Sequence, residues 1–294
     1  MKHRLLFSLI IISAALILTS ARGRRQAAAP SLALEWQSVA PGAQYAKFEG
    51  ELFGCAQTFS VFRYSPRRMT TDIVSDPGLY PSRAADCPIA VDTLRPATTT
   101  SGFGERYEAL AALNGSYFNT STLYPTTFVR DECETEGTTL CSETFRVDGC
   151  VATDGRRLRI FAADSASCHS VSPQCKDALA SGPLLISDGR PRTSWPESSF
   201  FTGRHPRTVI GIGSDRRIYL IVIDGRNDAH ASGTTIAETT ELCRLLGLRD
   251  ALNLDGGGSS TLWLCGKGVV SHPSDNGRWD NAGERVVPNA VVVR

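Results

Sequence analysis

The chain has 294 residues, 41% hydrophobic and 21% charged, which is enough apolar material for one sizeable core. Thirty-one lysines and arginines against 30 acids leave a formal charge of +1. That balance excludes a strongly basic nucleic-acid-binding chain, and no nucleic-acid partner is expected.

Lys2, His3 and Arg4 precede an apolar run from Leu5 to Leu18, and the small residues Thr19 and Ala21 follow. Residues 1–21 therefore read as a signal peptide. Arg22, Arg24 and Arg25 keep a second reading open, an N-terminal membrane anchor through residues 5–18. Either reading places the remainder outside the cytoplasm, secreted or periplasmic. Residues 22–40 look like a linker, and residues 41–294 like one folded domain.

Nine cysteines (55, 87, 133, 141, 150, 168, 175, 243 and 265) form no C-x-x-C pair, so a zinc knuckle is not expected. Up to four disulfides and one thiol fit an oxidising compartment. The short loops favour Cys133–Cys141 and Cys168–Cys175. Residues 131–176 hold five of the nine and read as a disulfide-pinned insertion.

Along the chain, "QTFSVFRY" at 57–64 alternates as a strand does. "YEALAALN" at 107–114 fits a short helix or a buried strand. "RTVIGIGSD" and "RRIYLIVIDG", 207–225, form a predicted hairpin. "TIAETTELCRLLG" is spaced as a helix with Gly247 as its stop. "ALNL" and "TLWL" then flank the loop Asp255-Gly256-Gly257-Gly258-Ser259-Ser260. Strand, helix and strand imply a crossover that makes the two strands parallel. Asp224 and Asp255 then emerge on one edge of the sheet, where α/β proteins bind ligands. The expected class is α/β, with α+β as the alternative, and the expected sheet is mixed.

Three glycines behind an acid let backbone N–H groups converge on an anion, and serine hydroxyls add donors. No Gly-Lys-Ser/Thr follows, so the loop is not a P-loop. Arg207 and Arg226 are candidate phosphate ligands. Glu238 reads in two ways. It completes a capping box with Thr235, or it serves the site as a carboxylate at the same helix N-terminus. Asp224 reads equally as a strand-end turn residue. The five histidines show no metal spacing, so no cofactor is expected and a divalent metal stays open. Asn114 and Asn119 begin N-x-S/T sequons, and Asn114 would be unavailable for glycosylation if it lines a pocket.

Several segments in order resemble the phosphodiester glycosidase family: "LNGSYFN" (113–119), "ASGPLLISDGRP" (180–191), "RHPRTVIGIGSDRRIYLIVIDGR" (204–226), "SGTTIAETTELCRLLGLRDALNLDGGGSS" (232–260) and "GERVVPNAVVV" (283–293). The 131–176 segment has no counterpart in that resemblance. The resemblance implies a catalytic domain over 41–294. It also implies hydrolysis of the glycosidic bond in a sugar-1-phosphate diester, with the phosphate left on the aglycone. Asp255, Glu238 and Asp224 would form the acidic set, since glycoside cleavage commonly uses paired carboxylates. Arg207 and Arg226 would hold the phosphate, with Gly256, Gly257 and Ser259 completing its cradle. Asn114, Tyr117, Thr234 and Asn289 would line the pocket. The partner is then a glycan or sugar-phosphodiester substrate. Two other functions compete: a non-catalytic carbohydrate- or phosphate-binding module, and a phosphodiesterase that cuts at phosphorus.

Overall fold

The computed structural model describes residues 32–75, 98–132, 134–137, 139–163 and 175–294. The signal or anchor segment and Cys87, Cys133 and Cys168 lie outside the described residues, and with them both expected disulfides. The described cysteines 55, 141, 150, 175, 243 and 265 are thiols.

The largest sheet has eight strands. Their order is Gln37–Ala40, Ala43–Leu52, Cys55–Tyr64, Ile218–Ile223, Arg207–Gly213, Leu248–Asn253, Leu184–Ser187 and Arg190–Pro191. A row of fully buried residues crosses four strands in register, Phe62–Leu220–Ile210–Leu252. The adjacent positions Val61, Ile221 and Val209 point to the other face, as the two-residue period of a strand requires. Both faces are apolar because both are covered. The first faces residues of two five-stranded sheets, among them Val151, Leu179, Leu113 and Val291. The second packs under the helix Ile236–Leu245 through Ile236, Leu242 and Cys243, and against Phe201.

One five-stranded sheet has the order Leu158–Ala162, Gly149–Thr153, Asp177–Ser181, Val129–Asp131 and Glu134–Gly137. It is built largely from the stretch expected to be an insertion. The other has the order Gly268–Val269, Leu262–Leu264, Ala111–Asn114, Asn289–Val293 and Thr71–Ser75. "YEALAALN" thus resolves into a buried strand. The helix Thr100–Arg106, which the sequence reading did not identify, packs beside it.

The expectation of an α/β fold with a mixed sheet is corrected here. Every hydrogen-bonded strand pair among the described residues is antiparallel, and strands far outweigh helices. The crossover itself is present, but it skips a strand. Arg207–Gly213 lies between Ile218–Ile223 and Leu248–Asn253 and is antiparallel to both, so those two run parallel without touching. The hairpin partner occupies the position that a parallel neighbour would have taken. The geometric consequence survives. Asp224 and Asp255 leave the sheet at one edge, about two strand spacings or ~10 Å apart, with Arg207 between them.

Candidate active site

Asp255 sits two residues beyond its strand and is fixed through its backbone. Its N–H donates to the Gly115 carbonyl (3.2 Å), and its carbonyl accepts from Asn114 Nδ2 (2.7 Å). Asn114 is fully buried and spends its Oδ1 on the Thr208 hydroxyl and the Thr261 N–H. It therefore acts as a clamp and is shut off from glycosylation. Asn289 holds the next turn, accepting from Ser116 N–H and donating to its hydroxyl.

Burial pushes the Asp255 carboxyl up to about 6. Ser259, whose buried hydroxyl makes no well-formed hydrogen bond in the protein, counters part of that rise, as do the charges of Arg146 and Arg285.

Each loop glycine has its own steric reason. A Cβ on Gly256 would come within 2.7 Å of the Pro206 carbonyl oxygen. Gly257 has φ +62°, and its Cβ would reach 3.0 Å from Arg226 Nη2. On Gly258 a Cβ would lie 2.5 Å from both Arg285 Nη2 and Asp275 Oδ1. The loop thus lets two guanidinium groups lie against its backbone. Its amides are less available than the sequence suggested, since the Gly257 N–H donates to Pro206 (2.9 Å).

Arg226 has φ +64°, an uncommon conformation for a non-glycine residue. It donates from Nη1 to the Ser274 hydroxyl (3.3 Å) and otherwise faces solvent. Arg285 pairs with Asp275. Arg146 pairs with Glu143 (2.5 Å) and lies 3.9 Å above the Tyr117 ring. Tyr117 is buried. Its hydroxyl donates to Gly182 and accepts from Asn253, and burial raises its pKa.

The other expected residues take up positions of their own. Arg207 is 2% exposed and donates to the carbonyls of Thr234, Phe200 and Gly203. Burial lowers its pKa to about 10. It ties the 200–207 turn to Thr234, whose hydroxyl bonds Thr239. Glu238 forms the capping box with Thr235 and pairs with Arg204 at 2.5 Å, so both its oxygens are engaged. Asp224 is buried and accepts from the His272 N–H (2.9 Å) and pairs with its Nδ1 (2.8 Å). Its pKa is raised by burial, and the bonds from His272 oppose the rise. The His272 ring stacks on Trp279, with centroids 3.9 Å apart. A cleft of about 440 Å³ opens beside this pair, lined by Glu49, Glu51, Cys55, Thr58, His230 and Trp279 among others.

Asp255, Gly256, Gly257, Ser259 and Arg226 therefore come together, while Arg207, Asn114 and Asn289 brace the site from beneath. The sequence reading missed Arg146, Arg285, His272 and Trp279. Arg285 was visible in "GERVVPNAVVV", but nothing local connects it with a glycine loop 27 positions earlier. Among the described residues no group of three His, Cys, Asp or Glu side chains could hold a metal ion.

This β-rich fold recurs in solved structures. The catalytic domain of zebrafish N-acetylglucosamine-1-phosphodiester alpha-N-acetylglucosaminidase, auto-inhibited by its pro-peptide, superposes with a TM-score of 0.65 at 16% identity. The match covers 90% of this chain and 87% of that one. A Synechocystis protein gives 0.65 at 14% identity, covering 90% and 64%. BPSS2145 of Burkholderia pseudomallei, classed as exported, gives 0.59 at 16%, covering 83% and 75%. The prophage-derived protein YomE of Bacillus subtilis is 30% identical over 133 residues, which is 44% of this chain and 20% of YomE. The phosphodiester glycosidase profile matches residues 107–294, and the chain belongs to that family.

Proposed function

We propose that the protein is an exported hydrolase that cleaves the glycosidic bond of a sugar-1-phosphate diester. Its products are a free sugar and a phosphomonoester on the aglycone. The observation that carries this reading is the Asp255 carboxyl, raised toward neutrality, beside a glycine loop against which Arg226 and Arg285 lie. Export rests on the N-terminal apolar segment and on kinship of fold with a protein classed as exported. Among the described residues no helix is long and apolar enough to cross a membrane.

In this reading the phosphate lies on the loop, where Arg226, Arg285 and Arg146 supply charge-assisted donors. The cleft against Trp279 takes the sugar, with Glu49 and Glu51 as acceptors for its hydroxyls. Water adds its oxygen to the anomeric carbon. The bond from that carbon to the bridging oxygen breaks, and its electron pair stays on the phosphate. A phosphate needs little protonation to leave, so Asp255 acts as the base that takes the proton from water. A value near 6 suits that task at neutral pH. Glu238 and Asp224 complete the acidic set as positioning groups, through Arg204 and His272.

Hydrolysis in ¹⁸O-water tests the bond cleaved. Label in the sugar supports the reading, and label in the phosphate product overturns it in favour of attack at phosphorus. Binding without turnover across a panel of sugar phosphodiesters would make the protein a binding module. A chelator arm reads metal dependence separately.

A further inference from the structure

At the other end of the central strands lies a second cleft, of about 460 Å³, that the proposed reaction does not use. Its lining includes Arg156, Arg157, Arg159 and Arg216, with Asp154 as the one acid. The Gly149–Thr153/Leu158–Ala162 hairpin supplies three of these arginines, Arg156 and Arg157 in its turn and Arg159 in its second strand, and the Arg207–Gly213/Ile218–Ile223 turn supplies the fourth. The strand Ile218–Ile223, about 17 Å long, lies between Arg216 and Asp224.

None of the four guanidinium groups has an ion-pair partner among the described residues. Asp154 is exposed, and its carboxylate accepts the N–H groups of Arg156 (2.9 Å) and Arg157 (2.7 Å). Against desolvation, those bonds and the charges of Arg157 and Arg159 hold its pKa low. The neighbouring Asp215 is taken up by Tyr219 (3.2 Å) and Arg217 (3.8 Å). Arg159 contacts the Cys175 sulfur. Arg216 has φ +65° in a turn position that glycine or asparagine usually fills. In a chain of net charge +1, four arginines against one carboxylate around one concavity are a local concentration of positive charge.

We infer that this cleft binds an anionic polysaccharide, as a docking site remote from the catalytic rim. Among the described residues its lining includes no aromatic side chain on which a nucleobase could stack, which disfavours single-stranded nucleic acid. Four guanidinium groups spread over two hairpins suit the carboxylates or sulfates repeated along an acidic glycan, which charge contacts alone can hold. The inference does not depend on the hydrolytic reading, because binding is read without turnover.

Heparin serves as the probe, with the full chain and a Kd measured across a salt series. The variant R156A/R157A/R216G should bind at least about tenfold more weakly near ~100 mM salt, with a log–log salt slope shallower by about two. Arg216→Gly alone fits the left-handed turn and so preserves the hairpin. It should weaken binding measurably by itself. A control that removes three exposed charges elsewhere, R190A/K267A/R278A, should change Kd less than about twofold. Wild-type binding by the triple variant overturns the inference, as does an equal loss in the control. Tighter binding of a single-stranded oligonucleotide than of heparin overturns the assignment to a glycan. Hydrolysis of a small soluble phosphodiester should be unchanged in the triple variant.

Discussion

Asp255 is costly to the fold in its ionised form. Its pKa lies above that of an unfolded aspartate, so the folded state binds the proton more tightly. Stability from this group is present at low pH and is lost as pH rises from about 4 through about 6. In its proposed role as the base Asp255 works only when ionised, so kcat/KM should fall on acidification below about 6. Asp255→Asn should lower kcat by about 10²–10⁴-fold. The same change should raise stability at pH 7 by roughly 1–2 kcal/mol after solvent screening, seen as a higher Tm. Loss of activity with loss of stability would instead make Asp255 a structural residue. Gly258→Ala tests the loop. Its methyl group would push Arg285 and Asp275 aside, so KM should rise about tenfold or more while the fold persists. An unchanged KM would remove Arg285 from phosphate binding. At this scale the sequence pointed to Asp255, because an acid directly before three glycines has few bland explanations. It did not reveal that Arg207 is buried or that Arg146 reaches the site. Both follow from packing between segments far apart in the chain.

The helix Ile236–Leu245 is where the two readings of Glu238 separate. The capping box accounts for its sequence pattern, and the Arg204 pair accounts for its second oxygen. Glu238→Gln keeps a capping amide but loses the ion pair. It should cost about 1 kcal/mol in stability and leave kcat within severalfold of wild type. A collapse of kcat at unchanged Tm would make Glu238 catalytic. The Asp224–His272 pair is a second such junction. His272→Ala orphans a buried carboxylate and should destabilise the protein by about 2–3 kcal/mol, measured by denaturant unfolding. The hairpin 207–225, the helix and the strand before the glycine loop were legible because each carries a local period or a cap. The neighbour of Ile218–Ile223 was not, because Cys55–Tyr64 pairs with it from more than 150 residues away. No pattern within a strand names its partner.

Across the whole molecule, three sheets share one core, and the eight-stranded sheet is covered on both faces. Leu220 lies in the row that joins four strands, and Leu220→Ala should cost about 3 kcal/mol. A loss below about 1 kcal/mol would show that this part of the core relaxes around the cavity. The α/β expectation failed for a reason at this scale. A single strand–helix–strand unit was read as the rule of the sheet, whereas the hydrogen-bonded strand pairs among the described residues are antiparallel.

The strand Asn289–Val293 is paired on both sides, with Ala111–Asn114 and with Thr71–Ser75. Asn289 also holds the turn on which the Asp255 backbone rests. During synthesis, the segments at 71–75 and 111–114 therefore emerge long before the strand that joins them. Neither this five-stranded sheet nor the seat of Asp255 can be completed until Asn289–Val293 is free to pair. A chain without Asn289–Val293 would keep two open strand edges, at Ala111–Asn114 and Thr71–Ser75, and would lose the side chain that holds the turn beneath Asp255.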